Sequence, residues 1–582
     1  MNKRTIFYYL TLFTYLLMGC KWNEITKKAD EFSAKGLKSQ LTATNNADLV
    51  YLSDGQLRYN TYANFRDSIK TNQIPDFSHA GYKGGGVPIP NAAVVKTISP
   101  IEGDNRQHIQ AAIDEIAALP LGDNGLRGAI LLKAGIYHVG DILYIRSSGI
   151  VLRGEGTGIN QTVIVGINNQ RTFDQDWTKG LIMIQPSSYT ITVGGASKRL
   201  VGNFFPTGSR KIIVEAGHGL SAGDRIELIK TVNQSWIDSL KMAQYGWTTD
   251  NYQLKSFRKL TSVIGDTLEL DMSLYDPIYN MFGGGRLGKV QFDGFISNSG
   301  VENIRMEAKF ESNTSEKHDA NAIVIEGAEN CWVRNMAAKY FFRGGVLLLG
   351  NTHFVTVEDC GMVDHKSQIT GGRRYSFDVE HGAFGNLFQR CYVQSGRHAF
   401  VSGSKVPGPN VFLDNTSVDA LGGAGPHHRY ATGQLYDNIW QNKSEIAASN
   451  NGSYGTGHGW TGAGILFWNS EGSFRVASPP YTMNWAIGNI GGKYENGVGG
   501  GGTSPGSAIW QYHDTHIQPR SLYLQQLKER LGRDAVFSTT TEDQRNGTLR
   551  QKLFLKTTAI LQELPAGVVF TAQYSNLKAS NN

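Results

Sequence analysis

The sequence predicts an all-β chain coiled as a parallel β-helix, with a helix near its N-terminus and a mostly-β domain inserted into the coil. Three observations carry that prediction. Glycine supplies 69 of 582 residues, about 12%, while proline supplies 16. Against a usual glycine level of roughly 7%, this marks frequent tight turns rather than a collagen-like or disordered chain. Next, an apolar residue followed two positions later by Asn, Asp or Arg recurs as Val333-Arg334-Asn335, Val357-Glu358-Asp359, Phe388-Gln389-Arg390, Phe412-Leu413-Asp414, Tyr436-Asp437-Asn438, Phe467-Trp468-Asn469 and Ile487-Gly488-Asn489. The steps between first members are 24, 31, 24, 24, 31 and 20 residues. That length suits three short strands with their turns, whereas a propeller blade takes about 40–50 residues. Finally, Cys360 and Cys391 each lie three positions after a marker. Equal register stacks them in adjacent coils as small buried residues, and with Cys331 they fit no zinc spacing.

The elements follow in chain order. Residues 1–20 carry a basic start at Lys3 and Arg4, an apolar stretch from Ile6 to Met18, and Leu17-Met18-Gly19-Cys20. The run is too short to span a bilayer and reads as a secretory signal. Its ending resembles the bacterial lipobox, which implies lipidation of Cys20 and an exported lipoprotein at the outer membrane of a Gram-negative bacterium, facing the periplasm or the surface. Residues 21–75 read as a tether followed by a polar, partly helical segment. In residues 76–185 a glycine-rich aromatic loop precedes a helix capped at Asp104, with Ile109, Ala112, Ile113 and Ile116 at helical spacing. Short strands separated by glycine turns come after it. This helix, followed by G-x-x-x-x-x-x-G-x-Y and L-R-G-x-G, resembles the opening of pectate-lyase-like proteins. The resemblance covers roughly 75–185 and 295–515, and implies a right-handed β-helix whose open end the helix caps.

Residues 186–295 alternate apolar and polar positions around a helical WIDSLKMA and read as the inserted domain, in which Trp236, Trp247 and Tyr252 either extend the groove or, as the better reading, are core aromatics. A solenoid tolerates such an excursion because each coil touches only its neighbours. Residues 296–520 are the main coils, and 521–582 a C-terminal cap lying as a polar lid on the last of them.

Composition bounds the function. Apolar residues at 40% exclude intrinsic disorder, and a net charge of +6 with no basic tail argues against a nucleic-acid partner. The chain is expected to be monomeric. Counting 14 residues back from three markers reaches Arg343, Arg374 and His398, and counting 17 forward from Phe412 reaches Arg429. Equal register predicts that these four climb one exposed face about 4.8 Å apart, joined by Arg373, Arg397, His427 and His428. Seven of the 14 histidines fall between His353 and His458. Glycine turns, Arg, His, Tyr and Trp around them, including His458 and Trp460, suggest a groove for an acidic polysaccharide. Arginine grips carboxylates through a planar fork, and aromatic rings offer flat faces to sugars.

Two reactions fit such a groove. A lyase needs a cation on the uronate carboxylate, a base for the adjacent proton and an acid at the leaving oxygen. Lyases of the family resembled commonly employ Lys, Arg or His as base, and sometimes Tyr as acid. Arg374 and Arg429 are the predicted clamps and His398, His427 or His428 the base. Tyr375 or Tyr430 is the proton donor, and Lys366 a reserve base. Arg343, Arg373, Arg397, His458 and Trp460 are predicted to bind substrate. A glycoside hydrolase would instead use two carboxylates from Asp364, Asp378, Glu380, Asp414, Asp419 and Asp437, although the adjacent Asp-Asp and Arg-Ile-Lys elements of the polygalacturonase branch are missing. A non-catalytic glycan-binding solenoid is the third reading. Ca2+ could use Asp364, Asp378 and Glu380 as oxygen ligands, and no cofactor is otherwise required.

Overall fold

The computed structural model describes residues 43–563 and 566, apart from 381, 495–505 and 507. The signal segment, Cys20 and the start of the tether lie outside the described residues, as do residues 567–582. No helix among the described residues is long and apolar enough to cross a membrane.

Each coil offers three strand positions. Two belong to one bent sheet of 20 strands and the third to a separate sheet of seven. The markers meet in register: Val333 pairs with Val357, Val357 with Phe388, Phe388 with Phe412, Phe412 with Tyr436 and Tyr436 with Phe467, all in parallel. At the last step Phe467 pairs with Ala486 rather than Ile487. The third marker residue turns the corner between the first two strand positions. Asn335, Asp359, Arg390, Asp414, Asn438 and Asn469 have φ of 48°, 56°, 56°, 53°, 56° and 46°, and Gly488 takes the last corner at 71°. Asn, Asp and Gly tolerate this left-handed region best, which is why the motif is visible in the sequence. Inside the coil Phe388, Phe412, Tyr436 and Phe467 stack with centroid spacings of 5.1, 4.8 and 5.2 Å. Cys331, Cys360 and Cys391 are free and buried.

The helix Arg106–Ala117 buries Ile109, Ala112, Ile113 and Ile116 against the first coils. Its cap is Asn105, one residue past the expected Asp104, whose carboxylate instead accepts the backbone N–H groups of Arg106 and Gly140 at 2.9 Å. The coil that pauses after Gly180–Ile184 resumes against itself: Val163 pairs with Arg305 and Ile182 with Ile323. Between these coils, strands from Thr190 to Asp293 form a six-stranded sheet with antiparallel pairing around Ile212, Ile226, Leu228 and Leu287.

The two ends of the described chain depart from expectation. Residues 50–72, read as partly helical, form two antiparallel hairpins. The first turns at Asp54-Gly55, with φ of 53° and 73°, the Asp-Gly signature of a two-residue hairpin. From there the segment runs the length of the solenoid as a strap. Gln518 donates to the Asn45 carbonyl at 2.8 Å near the last coil, Gly81 donates to Gly385 at 2.7 Å, and the Tyr82 hydroxyl donates to Asn298 at 2.9 Å near the first. At the other terminus, the helix Leu522–Leu531 packs on the strap. The helix Leu549–Gln562 lies along the flank, with Leu553 and Ile560 against Val363 and Tyr392. The C-terminal segment is therefore a side brace rather than a lid on the last coil, because its apolar residues find partners on mid-solenoid strands.

Candidate active site

The seven-stranded sheet ends with Gly344–Leu348, Tyr375–Val379, His398–Ser402 and Gly425–Pro426. Phe377 and Val379 point into the core, so the alternation of a strand sends Asp378 and Glu380 outward. Over this end opens a cavity of about 690 Å³, the size range of small-ligand sites. Seven of the predicted residues line it: Arg343, Tyr375, Glu380, Arg397, His427, His428 and His458. The His427 ring lies 4.3 Å from His398, 5.4 Å from His428, 4.8 Å from His458 and 5.4 Å from Tyr375, centroid to centroid.

The other predicted residues stand elsewhere, and the expected exposed ladder does not form. Pairing of Val346 with Phe377 and of Tyr375 with His398 puts Arg343, Arg374 and Arg397 on one level, so His398 is one place out of that row. Arg343 is buried at 2% exposure, with its guanidinium on the Asp378 carboxylate. Arg374, at φ 59°, turns away and donates to the Ser367 hydroxyl and carbonyl at 3.2 and 2.6 Å. It is a brace for that turn, not a clamp. Arg429 lies beyond the strand, donating to the Thr456 carbonyl and hydroxyl at 2.6 and 2.8 Å. Arg373 pairs with Glu316 at 2.8 Å, and Lys366 with Asp364 at 2.8 Å, which removes it as a reserve base. Tyr430 and Trp460 are buried with Trp236, Trp247 and Tyr252, in a seam joining the solenoid to the antiparallel domain. A phenol or indole locked there reaches no substrate. His398 is buried beneath the pocket wall rather than on its surface.

Charge in the pocket follows from these contacts. Burial and the Asp378 carboxylate push Glu380 up to about 8, so it is largely protonated at neutral pH. Asp378 is also raised by burial, against the lowering effect of Arg343. The Glu380 carboxyl lies where Gly403 of the next coil leaves room: a Cβ there would stand 1.8 Å from Oε2. His427 is held well below its ordinary value by burial and by neighbouring imidazoles. Burial and Arg397 lower His398 to about 3. Its Nδ1 sits 2.6 Å from the Gly423 carbonyl, which can only accept, so the proton is on Nδ1. Burial lowers His458 to about 4, with Arg429 and Arg397 adding to the effect.

Calcium does not fit these donors. Asp364 is taken by Lys366, Asp378 by Arg343, and Glu380 favours its proton. Among the described residues no three His, Cys, Asp or Glu side chains are grouped to hold a metal ion. The other hydrolase candidates are structural. Asp414 pairs with Arg520 at 2.7 Å, Asp419 with Lys443 at 2.5 Å, and Asp437 accepts from the Ser521 hydroxyl and Tyr523 N–H at 2.7 and 2.9 Å.

Sequence reasoning missed Phe173 and Trp177, which reach the pocket from the short helix Phe173–Asp176 ahead of the strand Gly180–Ile184, and Asn451 and Tyr454 on a loop downstream. Aromatic residues in polar loops were the only available signal.

No family model matches the chain, and no curated protein does. Among solved structures, it is similar to the tailspike protein gp49 from Pseudomonas phage LKA1 (14% identity, TM-score 0.33, 70% of each chain covered). It is also similar to the gp54 tailspike of Acinetobacter baumannii bacteriophage AP22 in complex with capsular saccharide (12%, TM-score 0.27, 69% of this chain and 73% of that one). A third is the catalytic domain of a GH87 α-1,3-glucanase in complex with nigerose (8%, TM-score 0.30, 75% and 68%). The β-helix itself rests on the strand pairing described above.

Proposed function

We propose that the chain is a polysaccharide lyase that cleaves a uronic-acid-containing polysaccharide by β-elimination in this pocket. The observation that carries the reading is a balance of charge. Among the described residues, Arg397 and Arg429 have no carboxylate partner, Arg343 is neutralised by Asp378, and Glu380 favours its protonated form. The pocket and its rim are therefore left with two uncompensated guanidinium charges, which the carboxylates of a uronate chain would offset.

In this mechanism Arg397 holds the uronate carboxylate and stabilises the charge that develops on it. Unprotonated His427 takes the C5 proton. The released electron pair forms the C4=C5 double bond while the C4–O bond breaks, and Glu380 gives its proton to the leaving oxygen. Tyr375 packs between the Arg343 guanidinium, 5.4 Å from its ring, and the His398 and His427 rings, and so positions His427. Asp378, fixed by Arg343 and off the pocket lining, is poorly placed as the second carboxylate of a hydrolase.

The test is incubation with alginate, polygalacturonate and hyaluronan, following ultraviolet absorbance of the unsaturated product. New reducing ends without that absorbance would replace elimination by hydrolysis, with Glu380 as the acid. Neither signal, with binding retained, would leave a binding solenoid. Arg397→Ala is expected to lower kcat/KM by about 100-fold with the unfolding midpoint unchanged. Arg343→Ala should instead cost roughly 3–5 kcal/mol of stability, because it strands the buried Asp378 charge.

A further inference from the structure

The geometry points to a site that takes the end of a glycan chain rather than a stretch within it, an inference that rests on the polysaccharide reading above and specifies its substrate. A polymer cut internally must enter and leave the site, so the cleft must be open on two opposite sides. This one is walled at both ends along the solenoid axis.

The upstream wall is Phe173 and Trp177. The Arg373 guanidinium lies 3.7 Å from the Phe173 ring and is itself fixed by two bonds to Glu316, at 2.8 and 3.0 Å. The Arg343 guanidinium lies 4.9 Å from the Trp177 ring, and Asn321 donates to the Trp177 carbonyl at 2.9 Å. Downstream, the seven-stranded sheet stops at Gly425–Pro426. In the next coil the strand Trp440–Ala448 lies alongside through the Ala424–Ile446 bridge, and the loop that follows it, closed by the Asn450–Trp460 bridge, carries Tyr454, Thr456 and His458 to the pocket.

That loop is clamped from both sides. Arg429 of the solenoid holds Thr456. From the antiparallel domain, the Trp247 Nε1–H donates to the Gly457 carbonyl at 3.2 Å. A Cβ on Gly457 would stand 2.3 Å from the Tyr245 carbonyl oxygen, and one on Gly459 2.5 Å from the Met242 sulfur. Both glycines also have positive φ, 81° and 55°, so no other residue suits the clamp. Thr370 to Gly372 closes one flank, and the Gly371 carbonyl is held by Arg397. A chain end can enter this space, whereas an internal segment has no exit along the axis.

The experiment compares alginate, polygalacturonate and hyaluronan, each intact and sonicated to short chains at equal mass. On whichever glycan is cleaved, the expected result is unsaturated mono- or disaccharide from the first time point, slow loss of viscosity, and an initial rate that rises with the number of ends. Rapid viscosity loss with long oligomers would overturn the chain-end inference while leaving the lyase reading intact. No turnover would remove the lyase reading, and calorimetric titration then decides: sites proportional to ends support the inference. Sites proportional to mass, or no binding, overturn it. Tyr454→Ala and Trp177→Ala should each lengthen the products. If both leave them unchanged, these walls do not set the cleavage mode.

Discussion

Glu380 is the residue whose surroundings most affect what the pocket does. Its ordinary value of 4.5 becomes about 8 in the folded chain, chiefly through burial and then through Asp378. The folded state therefore keeps a proton that the unfolded state releases. The stability this contributes is complete below pH 4.5 and is lost as pH rises through about 8. Glu380→Gln should flatten the fall of the thermal midpoint across that window and also abolish proton donation; superimposable pH profiles for wild type and variant would refute the assignment. In the sequence, Glu380 is one of six acidic candidates. What separates it from Asp414, Asp419 and Asp437 is that their partners Arg520, Lys443 and Ser521 neutralise or cap them. Arg520 and Ser521 fold back from 106 and 84 residues away.

At the scale of the element, the corner residue explains both the success and the failure of counting. Coil length was legible because the corner needs φ near +50°, and the chain meets that need with Asn or Asp at five of the seven corners and Gly at one. Asn335→Val should be about 1–2 kcal/mol less stable in urea than Asn335→Gly, since only the β-branched residue meets the full left-handed penalty; both lose the 2.9 Å bond to Asn303 equally. The basic ladder failed for the same kind of reason. The turns leading into the third strand position vary in length, so an offset counted from one corner drifts by a residue. A drift of one place moves a side chain to the opposite face. Hence Arg397, rather than His398, shares a level with Arg343, and the left-handed backbone at Arg374 swings that guanidinium away.

For the whole molecule, the strap is the feature with the widest reach. Phe388, Phe412, Tyr436 and Phe467 fill the coil, yet their neighbours Leu387, Val411, Leu435 and Leu466 are apolar too and face outward under a second core. Strands apolar on both faces must be covered on both, so the sequence implied an outer layer there. It could not say that residues from 47 to 80 and the helix Leu522–Leu531 supply it. Removing residues 43–80 should expose this surface. Dye binding and sedimentation should then report an aggregating species, and a monomeric, cooperatively unfolding truncation would show the strap to be dispensable.

The strap also constrains when the protein can mature. Asp48 and Leu49 bind Gln511, and Phe77 binds Gln526, partners that lie 463, 462 and 449 positions later. At a synthesis rate of roughly 5–20 residues per second, the strap waits from about 20 seconds to about a minute and a half for its docking site to exist. Coils can wind as they emerge, but the greasy flank stays open until the final helices arrive, which makes the newborn solenoid dependent on protection during that interval.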